Sequence, residues 1–257
     1  MRIGEKAGHL GVIALIVLAW AVFPRTAGAS WVGDDILTIE VQSQGLATSQ
    51  AWLLPQSLSD SGSGCQYSQY DLPGPVDFVS GSTLLGTVDA VSALYKADPF
   101  VALGVAVTAG PEGSTFTITS ATVAFDSVTN PQAYADVSLT LTDNNGDGAS
   151  LTGLYPGGNA YEANYTGSSG PVTWTTLEGS FTADPAGENT IKDRDPVVAG
   201  SSLLISDTLY SIQSQYSFSL TPYDSASGTS HFEITPEPAT LSLLALGALA
   251  ILRRSRR

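Results

Sequence analysis

Apolar residues on every second position, broken by Gly, Pro, Asn and Asp, constrain this chain more than any other feature of its sequence. Leu37, Ile39 and Val41 alternate with Thr38 and Glu40, and Val137, Leu139 and Leu141 with Ser138, Thr140 and Thr142. The same beat runs through Tyr161, Ala163 and Tyr165, through Tyr216, Phe218 and Leu220, and through Phe232 and Ile234. A period of two places one face of an extended strand in a core and the other in water, which a helix of period 3.6 cannot do. Strong helix formers are scarce while Thr, Val, Tyr and Phe fill these segments, so the expectation is all-β. Turn signals about every ten residues favour one antiparallel β-sandwich of the jelly-roll kind over residues 30–235.

Four local expectations follow. The nearly continuous apolar run Val101 to Val107 suggests a central strand covered on both faces. The apolar phase shifts between Phe116, Ile118 and Val123, Phe125, which predicts a β-bulge near Ser120. Leu84, Val88, Val91 and Tyr95 fall at i, i+4, i+7 and i+11, so a helix over 84–95 stays open beside a strand. Gln56 to Gly64 and Ala183 to Gly187 read as mobile loops, because their Ser, Gly, Asp and Ala residues supply little to a core.

Charge narrows the partners. The chain has 10 Lys and Arg against 24 Asp and Glu. Between Ser30 and Thr235 only Lys96, Lys192 and Arg194 face 22 carboxylates, a net of −19. A surface so poor in cations cannot neutralise phosphates, so nucleic acid and anionic headgroups are poor partners for this stretch. The single cysteine, Cys65, excludes a disulfide framework.

The two ends read as addresses. Arg2 and Lys6 precede the apolar run Leu10 to Phe23, and Ala27 and Ala29 supply the small residues that signal peptidase admits before Ser30. Residues 1–29 thus read as a secretory signal peptide. At the other end Pro236, Glu237 and Pro238 precede an apolar segment over 239–252, then Arg253, Arg254, Arg256 and Arg257. Fourteen apolar or small residues are short for a hydrocarbon core of about 30 Å, and the arginines would hold the end on the cytoplasmic side.

That order of triplet, apolar stretch and arginine cluster resembles the PEP-CTERM sorting signal of exported bacterial proteins from organisms that make exopolysaccharide. The resemblance is confined to residues 236–257. It implies a transient membrane tether, processing by a membrane-embedded exosortase near the triplet, and display at the cell surface or release into the extracellular matrix. The family shares a tail rather than an activity.

Candidate chemistry in the body is sparse. Asp143, Asn145 and Asp147 occupy positions 1, 3 and 5 of a D-x-[DN]-x-[DN]-G pattern, with Gly148 at 6, as in a Ca²⁺ loop. Position 12 is Leu154 instead of a bidentate Glu, which excludes an EF-hand, and Asn-Gly and Asp-Gly are also hairpin turn pairs. A Ca²⁺ site and a plain acidic turn both stay open.

His231 is the only histidine between Ser30 and Arg257 and alternates outward from Phe232 and Ile234. No G-x-S-x-G elbow accompanies it. One His and one Cys give zinc no usual ligand set. Asp60-Ser61-Gly62 is half an aspartic-protease motif without its second copy. Asn164-Tyr165-Thr166 fits a glycosylation sequon, which a bacterial exporter does not glycosylate by default.

No catalytic set emerges, and the expected role is non-enzymatic, structural and associated with exopolysaccharide. The alternative is a carbohydrate- or Ca²⁺-binding sandwich module, with Trp31, Trp52, Trp174 and the tyrosines as candidate stacking surfaces.

Overall fold

The computed structural model describes residues 30–44, 49–55, 67–96 and 99–236. The signal peptide with Ala27 and Ala29, the Gln56 to Gly64 loop, Asp60 to Gly62, Cys65, and the tail from Glu237 to Arg257 lie outside the described residues. So do the side chains of Trp31 and Trp52.

In chain order the strands are β1 (Ser30–Ser43), β2 (Ser49–Pro55), β3 (Tyr67–Asp71), β4 (Val76–Ser80), β5 (Thr83–Lys96) and β6 (Phe100–Ala109). There follow β7 (Ser114–Thr129), β8 (Gln132–Thr142), β9 (Ala149–Gly153), β10 (Tyr161–Gly167) and β11 (Gly170–Leu177). The series closes with β12 (Phe181–Ala183), β13 (Glu188–Asp195), β14 (Leu203–Leu204), β15 (Thr208–Leu220) and β16 (Ser225–Thr235).

Two antiparallel sheets pack face to face as a β-sandwich. The first runs β11-β10-β15-β7-β1-β2, with β9 and β12 continuing beside β15. The second runs β13-β8-β16-β6-β5-β3, with β14 on β8 and β4 on β5. Inward residues of both meet in one core, whose largest fully buried side chains include Tyr95, Tyr161, Tyr216, Phe116, Phe218 and Phe232. Burying each such ring stabilises the fold by about 2–3 kcal/mol, which is how a Ser- and Thr-rich chain accumulates enough apolar area.

The bulge expected near Ser120 is present. Ser120 and Ala121 are both buried where strict alternation would expose one. The ladder between β7 and β15 slips between Ile212 and Gln215. The displaced groups are repaired locally: Ser214 N–H donates to Ser120 Oγ at 2.9 Å, and Ala121 N–H to the Tyr95 hydroxyl at 3.3 Å. Tyr95 in turn donates to the carbonyl of Ile36 in β1, so one buried phenol ties the bulge to both sheets.

One open alternative is settled and two expectations are corrected. Residues 84–95 form strand β5, with no helix. A register shift between Val88 and Ala90 turns Val88 and Val91 inward together, three residues apart, and this imitates helical spacing. Strand β6 is central in its sheet, but one face is open, because Ala102, Gly104 and Ala106 on that face are partly exposed. Ala183 to Gly187 is a fastened turn, with Gly187 N–H donating to Asp184 O at 2.8 Å and Ala186 N–H to Asp143 Oδ2 at 2.6 Å.

Candidate functional site

At one end of the sandwich four connections pass between the sheets: 110–113, 143–148, 184–187 and 221–224. The DNNGDG pattern is the second of them. The Asp143 carboxylate accepts N–H bonds from Asn145 (3.0 Å), Gly146 (2.8 Å), Gly148 (3.0 Å) and Ala186 (2.6 Å). Burial opposes its charge, but these four amides outweigh burial and hold the carboxyl down at about 2.

Asn144 and Asn145 extend the staple, donating their side-chain amides to Tyr223 O and Pro222 O. Buried Asp224 accepts from Asn144 N–H and from the Thr221 hydroxyl. Asn145 Oδ1 accepts from Asp147 N–H at 3.1 Å, which turns it toward its own loop. The structure therefore brings Asp143, Asn145 and Asp147 into one loop, with the Asp143 lone pairs directed at backbone amides. A cation there would have to displace those amides. Among the described residues no group of three or more His, Cys, Asp or Glu is placed to hold a metal.

A different feature stands out on the outer face of the second sheet. A shallow trough of about 490 Å³ crosses five strands, lined by Asp71 and Leu72, Ala90 and Ser92, Gly104 and Ala106, Ser227 and Thr229, and Ser138 and Thr140. It runs on into a hollow of about 280 Å³ that shares Asp71, Ser92, Gly104 and Thr229 and adds Gln69 and Leu94. Small outward residues on β6 create the depression. A Cβ added at Gly104 would stand 2.5 Å from Ser92 Oγ, so a larger residue there would crowd the floor.

A group of rings stands beside the trough on the same face. The His231 ring centroid is 4.6 Å from that of Phe100 and 5.6 Å, edge-on, from that of Tyr134. His231 Nε2 lies 3.2 Å from Glu233 Oε2. Lys96 Nζ sits 4.4 Å from the centre of the Phe100 ring, a cation–π contact. Tyr134 donates to Asp136, and burial, then this carboxylate, raises the phenol above its ordinary value.

The outward setting expected for His231 is what the structure shows. Trp174, a candidate stacking surface, instead packs parallel to Phe232 at 5.5 Å and supports the core. Sequence reasoning missed the trough, although the alternation of Ala102, Gly104 and Ala106 with Val101, Leu103 and Val105 was its signal.

The arrangement offers hydroxyls, small residues for close approach, and exposed ring edges on a rigid sheet. It presents acceptors and donors to a hydroxyl-rich ligand.

Comparison with solved structures gives only distant likenesses. A cyclase from Fischerella sp. TAU is 10% identical over 66% of this chain and 88% of its own, with a TM-score of 0.23. A structure of infectious bursal disease virus, Gx strain, is 13% identical over 82% of this chain and 57% of its own, also at 0.23. The VP2 subviral particle of that virus is 10% identical over 90% and 75%, at 0.14. Scores this low support no argument about fold or activity. No curated protein matches the chain. Residues 235–257 do match the PEP-CTERM protein-sorting motif. The chain thus carries an exosortase-dependent sorting signal that marks it for export and for membrane-associated processing on the way.

Proposed function

We propose that this chain is a non-catalytic protein of the cell surface or extracellular matrix that contacts exopolysaccharide through the outer face of its second sheet. Signal peptidase removes residues 1–29 before Ser30, segment 239–252 tethers the chain briefly, and exosortase cuts near Pro236 to Pro238. The observation that carries the reading is the hydroxyl-lined trough beside Phe100, Tyr134 and His231 on a domain bearing an export tail.

Sugars suit such a surface because their hydroxyls pair with Ser, Thr and carboxylate groups while their C–H faces rest on rings. The net charge of −19 over residues 30–235 favours a neutral or amine-bearing glycan and disfavours a uronic-acid polymer.

Exported protein applied to an array of neutral, amine-bearing and uronic-acid polysaccharides should be retained by one of the first two classes, with and without EDTA. Thr229→Arg, at an exposed position on the trough floor, should weaken that binding by roughly tenfold or more. Signal that vanishes with EDTA would point to a bound divalent cation in recognition, whereas a blank array would leave the proposal without support.

A further inference from the structure

We propose that the apolar loop spanning residues 196–204 rests on the lipid surface while the chain is tethered, orienting the sandwich so that the processing site faces the membrane. It rests on the reading of residues 239–252 as a membrane tether.

Val197 and Val198 are 83% and 69% exposed, and Leu203 and Leu204 are 46% and 54% exposed. From Pro196 to Ser206 the sequence has no charged residue. Isolated exposed apolar side chains are ordinary, but four between Val197 and the end of β14 form a patch of the kind that marks a contact surface. The loop is also held in place. Ser201 N–H donates to Val198 O at 3.1 Å, Ser202 Oγ donates to Gln132 Oε1, and Ile205 N–H donates to Pro131 O at 2.8 Å.

The position of this patch names its occupant. On one side of β8, Leu203 and Leu204 pair with Ala133 and Gln132. On the other side, the same two residues pair with Ile234 and Thr235, the last residues of β16. Exit and patch are therefore two strand spacings apart, about 10 Å.

Only Pro236, Glu237 and Pro238 separate Thr235 from the apolar segment, a span of at most about 14 Å. A segment entering the bilayer so soon after β16 brings Leu203 and Leu204 to the headgroup region, where apolar side chains gain by partial insertion. Carboxylates occur at both ends of the sandwich. The cations Lys96 and Arg194, however, sit toward the exit end, and the far end, around Asp143, Asp147, Asp184 and Glu188, has none.

The test uses the full chain carrying Cys65→Ser, reconstituted through its tail into phosphatidylethanolamine/phosphatidylglycerol vesicles, with an environment-sensitive NBD dye on one new cysteine. Dye at Val198→Cys, or at Leu204→Cys as a second position, should be quenched roughly twofold or more by spin-labelled lipid, while dye at Asp147→Cys should not. Protein that floats with vesicles while all three dyes stay unquenched would overturn the patch and leave the tether standing. Protein that fails to float at all would overturn both.

Discussion

Asp143→Ala should lower the melting temperature by on the order of 10 °C, while Asp147→Ala four residues on should change it by less than about 2 °C. The contrast follows from what each carboxylate holds. Asp143 receives four backbone N–H groups from two crossover loops, and an alanine would leave all four to find water in a partly buried setting. Among the described residues, the Asp147 carboxylate receives no hydrogen bond that its loss would break, although the two residues sit in one acidic turn.

The sign of the pH dependence is fixed as well. A carboxyl held at about 2 in the folded chain contributes stability that is fully present above the unfolded value near 3.8. That contribution is lost as pH falls through about 2, so the gap between the wild-type chain and Asp143→Ala should close over this interval. Calorimetry at a series of acid pH values checks both points. A calcium-dependent rise in melting temperature that both variants abolish would instead show a metal at the loop.

Glu178→Gln should have the opposite effect and stabilise the protein by about 2 kcal/mol near pH 8.5, with no gain near pH 4. Glu178 follows β11 with a left-handed φ of 61° and is 2% exposed. Among the described residues its Oε1 has no hydrogen-bond partner. Burial, then repulsion from Asp193 on β13, push its carboxyl up to about 7, opposed by the backbone N–H of Asp193. Its charge also faces the buried Tyr216 phenol of β15, whose ionisation it opposes.

Because the folded value exceeds the unfolded one, Glu178 favours the folded state at pH below about 4.5. Stability then falls as pH rises from there through about 7. The neutral amide removes that penalty. Urea unfolding of both proteins at the two pH values reads it directly, and equal differences at both would mean that the folded carboxyl titrates where the unfolded one does.

The parts of the fold that were legible in the sequence are those where alternation is unbroken. Strand β8 runs from Gln132 to Thr142 with every second residue buried, and its pattern in Val137, Leu139 and Leu141 admits one reading. Legibility fails where a strand departs from period two or where outward residues are themselves apolar. The slip at Val88 to Ala90 inserts a residue and so writes a helical spacing into β5. In β6 the outward Ala102, Gly104 and Ala106 score as apolar, so a half-open strand looks fully buried.

The Ser120 bulge could be read ahead because large residues flank it on both phases. Glu178 had no such signature, since its burial depends on β11 and β13 coming together from different sheets. For the candidate site, the outward setting of His231 was visible, but its grouping with Phe100 and Tyr134 was not. Those residues come from β16, β6 and β8, and only the strand order brings them side by side.

The most direct test of the whole assignment is the intact mass of the protein recovered outside the cell. A tail that serves as a removable sorting handle predicts a chain beginning at Ser30 and ending near Pro236 to Pro238, with Arg253, Arg254, Arg256 and Arg257 absent. A recovered mass that retains those four arginines, or a chain found only in the cytosolic fraction, would contradict it.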